Sequence, residues 1–255
     1  MEVLVTDVND NAPQFLHSVL KINISEATQK GSKFSLGSAM DHDSGQFSVQ
    51  GYKITSGDAN QSFSINNRTV GEEIFADLVV EKDLDREEQP TFELIVEAFD
   101  GGQPIKSGTV LVKVCILDVN DNPPTFDLSR YTVVVPEDLI PGQDILTLNA
   151  TDKDLGGNSK ISYRIDRDKS DPDFYFMVNA DNGRIYLNKT LDYEHAVQHK
   201  IVVDAVDGGS EPLVGSTVVI VDVQDVNDNK PTINIIFLDG GEAQVRNICK
   251  LCCCA

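Results

Sequence analysis

The chain has 255 residues, and a prior of about 150 residues per domain gives one or two domains, each long enough to bury a core without disulfides. Lys plus Arg numbers 21 against 41 for Asp plus Glu, a formal net charge of -20, so the surface repels phosphate backbones and anionic headgroups and argues against nucleic-acid or membrane-surface binding. With 40% hydrophobic residues the chain is too apolar for an acidic disordered tail, and the excess charge therefore sits on a folded protein.

From the N-terminus, Met1 is followed by Asp7, Asp10 and Pro13 with no long apolar segment, so no signal peptide is expected. No run approaches the ~18 apolar residues of a membrane span. Asp7-Val8-Asn9-Asp10-Asn11 is the first landmark, followed by Asp41-His42-Asp43-Ser44-Gly45, Leu84-Asp85-Arg86-Glu87 and Ala98-Phe99-Asp100-Gly101-Gly102. Residues 92–96 and 109–117 alternate with period two and predict strands; Cys115, inside the second run, is expected to be a half-buried, inert thiol. Asp118-Val119-Asn120-Asp121-Asn122 opens the same series again. A strand is predicted at 131–135, then come Asp152-Lys153-Asp154-Leu155-Gly156 and Leu191-Asp192-Tyr193-Glu194. In 200–206, Ile201, Val203 and Ala205 share one face of a further strand, which runs into Ala205-Val206-Asp207-Gly208-Gly209. Asp225-Val226-Asn227-Asp228-Asn229 is the third copy of the pentapeptide.

The pentapeptides start at residues 7, 118 and 225, so the spacings are 111 and 107 residues, a domain-sized period far longer than a solenoid repeat. Two tandem copies of one domain follow, 12–122 and 123–229. Residues 1–11 are expected to be the last strand and linker of a preceding copy, and 230–255 the truncated start of a following one. About seven short, β-branched strands per copy, separated by Gly, Asn and Asp clusters, predict an all-β fold of tandem β-sandwiches. Besides Cys115, the cysteines are Cys249, Cys252, Cys253 and Cys254. Neither copy contains a pair, so no bridge within a domain is expected. The terminal cluster offers one Cys-x-x-Cys spacing and no nearby His, too little for a zinc site, and reads as a disordered or artificial end.

An isolated Asp-x-Asp is usually a solvated turn, but acidic motifs recurring at matched places in two copies point to a common ligand. Calcium takes six to eight oxygens from carboxylates, amides and carbonyls in flexible geometry. The motifs supply those groups with almost no imidazole or thiolate, which selects calcium over zinc or copper. An EF-hand is excluded: its loop position 5 falls on Gly45 or Gly156, its position 12 on Tyr52 or Tyr163, and helices are missing. No enzyme is expected either. His17, His42, His195 and His199 have no repeated nucleophile partner, and no Gly-x-Ser-x-Gly elbow is present.

The Asp-x-Asn-Asp-Asn linkers, Leu-Asp-Arg-Glu, Asp-x-Asp and Ala-x-Asp-Gly-Gly, in this order and at this period, resemble the extracellular repeats of the cadherin superfamily over about residues 1–245. Asp85-Arg86-Glu87-Glu88-Gln89-Pro90, and Asp100-Gly101-Gly102-Gln103-Pro104 with Ser107-Gly108-Thr109, look most like the second and third repeats of a protocadherin; a fat or dachsous type cadherin is the nearest rival. The resemblance implies tandem seven-stranded Greek-key β-sandwiches, immunoglobulin-like in architecture and joined by calcium-binding linkers, with about three Ca2+ per complete junction. Carried over to the central junction, the upper repeat supplies Glu26, Asp85 and Glu87. The linker supplies Asp118, the Val119 carbonyl, Asn120, Asp121 and the Asn122 carbonyl, and the lower repeat supplies Asp152, Asp154, the Asn158 carbonyl and Asp207. Half-junctions are implied at the N-terminal end, by Asp7, Asn9, Asp10, Asn11, Asp41, Asp43 and Asp100, and at the C-terminal end, by Glu137, Asp192, Glu194, Asp225, Asn227 and Asp228. Phe47 stands where the second copy has Asn158. After Gln244-Val245 the chain departs from the family pattern and reads as a truncation or aberrant splice, with a lipidated or metal-binding end as the alternative.

The function implied is calcium-dependent cell-cell adhesion and recognition through a calcium-rigidified ectodomain rod. The implied partner is another cadherin ectodomain, in homophilic pairing the same protein on an opposing cell, with no nucleic acid and no small-molecule substrate. Heterophilic pairing of the fat or dachsous kind, or a passive extracellular calcium-binding spacer, are the alternatives. The chain is expected to lie on the extracellular side of the plasma membrane as part of a longer protein. Sequons at Asn23, Asn60, Asn67, Asn149 and Asn188 fit a glycoprotein that passes through the secretory route.

Overall fold

The computed structural model describes residues 5–230 and the backbone of 235–237 and 243–245. The expectations placed on the cysteines of 249–254, and on most of 230–255, lie outside the described residues.

The alternating runs become strands because β-branched and aromatic side chains at every second position bury one face of a pleated segment. In chain order the first copy gives β1 (Val19–Ser25), β2 (Lys33–Gly37), β3 (Val49–Ser56), β4 (Phe63–Val70), β5 (Glu73–Val80), β6 (Thr91–Asp100) and β7 (Ser107–Leu117). The second gives β8 (Thr125–Phe126), β9 (Arg130–Pro136), β10 (Asp144–Thr147), β11 (Ala150–Thr151), β12 (Ser162–Ile165), β13 (Phe176–Val178), β14 (Arg184–Leu187), β15 (Gln198–Val206) and β16 (Val214–Gln224). A final antiparallel pair joins β17 (Ile235–Phe237) to β18 (Ala243–Val245). Among the described residues the one helical element is a 3-10 turn at Gly45–Phe47, and no helix is long and apolar enough to cross a membrane.

In the first copy one sheet runs β1-β7-β6-β3 and the other β2-β5-β4. The second copy repeats this strand for strand as β12-β15-β16-β9 and β10-β14-β13. The first strand of each copy pairs in parallel with the last, β1 with β7 and β9 with β16. The strands between them return by antiparallel pairing, which gives the Greek-key sandwich. The first core lies between its two sheets: Phe92, Leu94, Val96 and Ala98 point inward from β6, and Val110, Val112, Val114 and Ile116 from β7. Parity also corrects the expectation for Cys115, which is exposed on the outer face with Lys113 and Leu117 because its neighbours Val114 and Ile116 take the inner face. In β15, Ile201, Val203 and Ala205 are fully buried. Asp204, on the opposite face, is buried as well, held by the Ser216 hydroxyl at 2.7 Å and by Arg164 at 3.3 Å.

The chain packs as two compact units. The first runs to Thr125 and takes in Thr151–Ile161 and Val206–Val214; the second comprises Phe126–Ala150, Ser162–Ala205 and the chain from Gly215. The first unit thus includes the two acidic loops of the second copy.

Candidate metal centre

Glu26 follows β1 and is 8% exposed. Its two carboxylate oxygens accept the Arg86 N–H at 2.8 Å and the Val119 N–H at 2.7 Å, which ties the end of β1 to the Leu-Asp-Arg-Glu turn and to the linker. Beside it, oxygens of Glu26, Glu87 and Asp121 lie within 4.8 Å of one another, and so do oxygens of Glu87, Asp118 and Asp154. Glu87 belongs to both triplets. Asp118 is oriented by the Leu155 N–H at 3.0 Å and the Asn158 amide at 2.9 Å, and Asp154 by the Asn122 side-chain amide at 2.9 Å. Asp85 accepts the Glu88 N–H at 3.0 Å.

Packing acids this closely disfavours their charged forms. Burial pushes the Asp121 carboxyl above its usual value, and the charges of Glu26, Asp154, Asp85 and Asp118 add to the rise. Glu87 is raised by burial and then by Glu26 and Asp121, with Arg86 opposing. Asp152 is raised by burial and then by Asp154, Asp207 and Asp118. Two unit charges about 4 Å apart repel by about 4 kcal/mol at an effective dielectric of 20.

A second group lies at the linker Asn. The Asn120 amide donates to Asp207 at 3.0 Å and to the Glu211 carbonyl at 2.9 Å. It sits so close to Gly209 that a Cβ there would fall 2.4 Å from the Asn120 Nδ2, which is why a glycine ends the Ala-x-Asp-Gly-Gly motif. The buried Asn120 Oδ1 and Asp152 Oδ2 have no hydrogen-bond donor. In the first copy Asn9 Oδ1, Asp41 Oδ2 and Asp100 Oδ2 are orphaned in the same way. Buried acceptors without donors are costly. Asn9 and Asn120, and Asp41 and Asp152, are matched positions, and the orphaned atoms are all oxygens, which fits the ligand chemistry of a hard cation.

The predicted sets divide as follows. Glu26, Glu87, Asp118, Asp121 and Asp154 come together, with Asp85 contributing charge at their edge; Asn120, Asp152 and Asp207 form the neighbouring group. The Val119 carbonyl accepts the Asp121 N–H at 2.9 Å, and Asn122 braces Asp121 at 2.7 Å as well as Asp154. Asn158 contributes its side-chain amide, a role the sequence reading had not given it. At the N-terminal set, Asp7 accepts the Ser44 N–H at 2.6 Å and its hydroxyl at 2.8 Å, bonds that lower its pKa. The Ser44 hydroxyl thereby replaces the Asn158 amide, which explains how Phe47 is tolerated. Asn11 holds Asp43 through its amide at 2.6 Å and its N–H at 2.9 Å and braces Asp10 at 2.7 Å. The Asp43 N–H reaches Asp41 at 3.0 Å, and Asp100 accepts from Gly102 at 3.1 Å and Lys106 at 2.9 Å.

At the C-terminal set, Glu137 repeats the role of Glu26, accepting the Tyr193 and Val226 N–H groups, each at 2.7 Å. Oxygens of Glu137, Glu194 and Asp228 form a third triplet within 4.8 Å. The backbone N–H of Glu194 opposes a rise in its own pKa, but burial and the charges of Glu137, Asp228 and Asp225 prevail. Asp192 caps the His195 N–H at 3.0 Å, and Asp225 and Asn227 are exposed.

Sequence reasoning missed Arg86. Its buried guanidinium lies among the acids, with Nε 2.6 Å from Asp118, a terminal nitrogen 2.8 Å from the Lys153 carbonyl and the same nitrogen bonded to Glu87. Burial opposes its charge, but Asp118, then Glu87 and Glu26, raise its pKa above the ordinary value. The signal was a lone arginine between two acids, in a motif whose other copy reads Tyr193.

The cadherin domain model matches residues 20–117 and 131–224. Protocadherin-16 of Mus musculus is 39% identical over 237 residues, 92% of this chain and 7% of that protein. Protein dachsous of Drosophila melanogaster is 40% identical over 237 residues, again 92% of this chain and 7% of that protein. The solved structure of Protocadherin Gamma B2 extracellular cadherin domains 1-5 superposes with a TM-score of 0.84 at 34% identity, covering 92% of this chain and 44% of that one. The chain thus spans a small part of the relatives it matches.

Proposed function

The chain belongs to the cadherin family, and from that membership we propose that it is a segment of a cell-surface ectodomain that mediates calcium-dependent cell-cell adhesion and recognition. We take its repeats as 12–122 and 123–229. The observation that carries the calcium reading is the pair of carboxylate triplets sharing Glu87, next to acceptor oxygens of Asn120 and Asp152 that no donor satisfies. Glu26, Asp85, Glu87, Asp118 and Asp121 hold one side of the site, and Asn120, Asp152, Asp154 and Asp207 the other, with the Val119, Asn122 and Asn158 carbonyls completing the oxygen set. Calcium, when bound, supplies the positive charge that cancels the repulsion among these acids.

The chain's own residues do the rest. Glu26 clamps the linker, Asn122 and Asn158 aim the carboxylates of Asp154 and Asp118, and Gly209 lets Asn120 seat against the backbone. Once these groups are locked, less entropy is lost when the ectodomain meets a partner. The sequon asparagines Asn23, Asn60, Asn67, Asn149 and Asn188 are all exposed and accessible to glycosylation, which would mark faces outside the contact. The partner is another cadherin ectodomain, the same protein in the homophilic reading. Heterophilic pairing is the second reading, favoured by a likeness to Protein dachsous as high as that to Protocadherin-16.

Beads coated with the chain are the test. Calcium-dependent aggregation within one bead population supports homophilic pairing, aggregation only with beads bearing a second cadherin supports the heterophilic reading, and aggregation indifferent to chelator contradicts both.

A further inference from the structure

Arg86 is a cation inside the acid cluster. Its guanidinium side chain is 8% exposed and bonded to Asp118, Glu87 and the Lys153 carbonyl, while its backbone N–H is fixed by Glu26. Burying a guanidinium is costly unless it is paired and its donors are satisfied. Here the planar fork finds two carboxylates and a carbonyl, the geometry arginine suits best. Glu87 and Asp118 are also two of the three residues in the Glu87–Asp118–Asp154 triplet. Asp121, in the other triplet, receives no bond from Arg86. The second copy is a natural control. Tyr193 replaces the arginine, and among the described residues no ion pair reaches Glu137, Glu194 or Asp228; Glu194 and Asp228 share the neutral amide of Asn229, at 2.6 and 2.9 Å.

We propose that Arg86 is a built-in counter-cation of the first copy's acid cluster: it occupies oxygens of Glu87 and Asp118 that a divalent cation takes, so it supports the ion-free fold and weakens cation binding at the Glu87–Asp118–Asp154 triplet. This rests on the calcium reading above. A divalent ion entering that triplet has to displace the guanidinium or share its oxygens, whereas one entering the Glu26–Glu87–Asp121 triplet leaves the Asp118 bond intact. Arg86 thereby sets the calcium concentration at which the cluster fills, and a tyrosine at the same place, as in the second copy, sets a lower one.

The test compares the parent chain with Arg86→Gln and Arg86→Lys, by calorimetric titration with calcium chloride and by thermal melts in chelator and in saturating calcium. Circular dichroism in saturating calcium confirms that each variant is folded. Close charge pairs couple strongly, so Arg86→Gln is expected to bind calcium more tightly, by about tenfold for a coupling of about 1.4 kcal/mol, and to lose melting temperature in chelator more than in calcium. Arg86→Lys, which keeps the charge but loses the planar fork, is expected to fall between. Unchanged or weaker calcium binding in both variants, or equal losses of melting temperature in the two buffers, overturns the role of Arg86 and leaves the calcium reading standing. A parent chain that takes up no calcium overturns both.

Discussion

Glu26 and Val119 are joined by a 2.7 Å bond from the Val119 N–H to the Glu26 carboxylate, across 93 residues of sequence. Glu137 and Val226 make the same bond at the same length in the second copy. The glutamate after the first strand is therefore a structural clamp, whatever it contributes to the proposed calcium site. Replacing Glu26 by Ala removes two charge-assisted bonds and strands two backbone N–H groups, which costs about 3 kcal/mol. Urea denaturation in chelator is expected to show that loss already, before any calcium is added.

Asp121→Asn is expected to behave in the opposite way. Asp121 clamps no distant backbone group, and its neighbours already disfavour its charge. In chelator the melting temperature should stay level or rise slightly. In calcium at ten times the parent's dissociation constant the variant should lose up to the ~1.4 kcal/mol that such binding adds, a drop of roughly 3–5 °C for a protein of this size. Paired melts of the two chains measure both effects.

Glycines give a steric test of the linker. A Cβ on Gly209 would meet Asn120 Nδ2 at 2.4 Å, and one on Gly102 would meet Asn9 Nδ2 at 1.7 Å. On Gly157 the nearest atom would be 3.9 Å away. Gly209→Ala and Gly102→Ala are therefore expected to cost about 1–3 kcal/mol by overpacking, and Gly209→Ala also to weaken calcium uptake through Asn120. Gly157→Ala should be close to neutral in the same melts.

His199 supplies a pH dependence separate from the acid clusters. Its ring packs 5.0 Å from Tyr175 and 5.4 Å from Phe176. Burial holds its pKa below the ordinary 6.5; Asp171 opposes the shift and His195 reinforces it. The folded state thus prefers the neutral ring. The stability this confers is complete above pH 6.5 and is lost as pH falls through the lower folded value. In chelator, the stability difference between the parent and His199→Phe should shift in the variant's favour as pH falls from 6.5 through that lower value. A difference that stays flat from pH 7.5 to 5, values chosen to bracket the ordinary histidine range, would contradict the assignment.

Much of this was legible in the sequence because it is carried by parity and by repetition. The burial of Ile201, Val203 and Ala205 follows from alternation alone, and the grouping of acids follows from motifs recurring at a domain-sized period, whereas the individual candidate ligands came only with the family resemblance. Cys115 is exposed rather than half-buried because Val114 and Ile116 claim the inner face of the same strand. Arg86 and the side chain of Asn158 were not legible in their roles. Where a guanidinium or an amide points depends on carboxylates 32 and 40 residues away, a distance no local pattern encodes. Nor does the motif show that Glu26 also holds backbone donors, since a carboxylate chosen for a cation and one chosen for an N–H look alike in sequence.

Whether calcium fills these acid clusters decides the proposed function. Titration of the chelator-treated chain with calcium chloride, followed by calorimetry and thermal melting on the same sample, tests it most directly. A calcium site here requires saturable uptake with dissociation constants of about 10^-4 to 10^-3 M, the range of extracellular calcium modules, and a melting temperature that climbs as the sites fill. No saturable heat, together with the same melting temperature in calcium and in chelator, would contradict it.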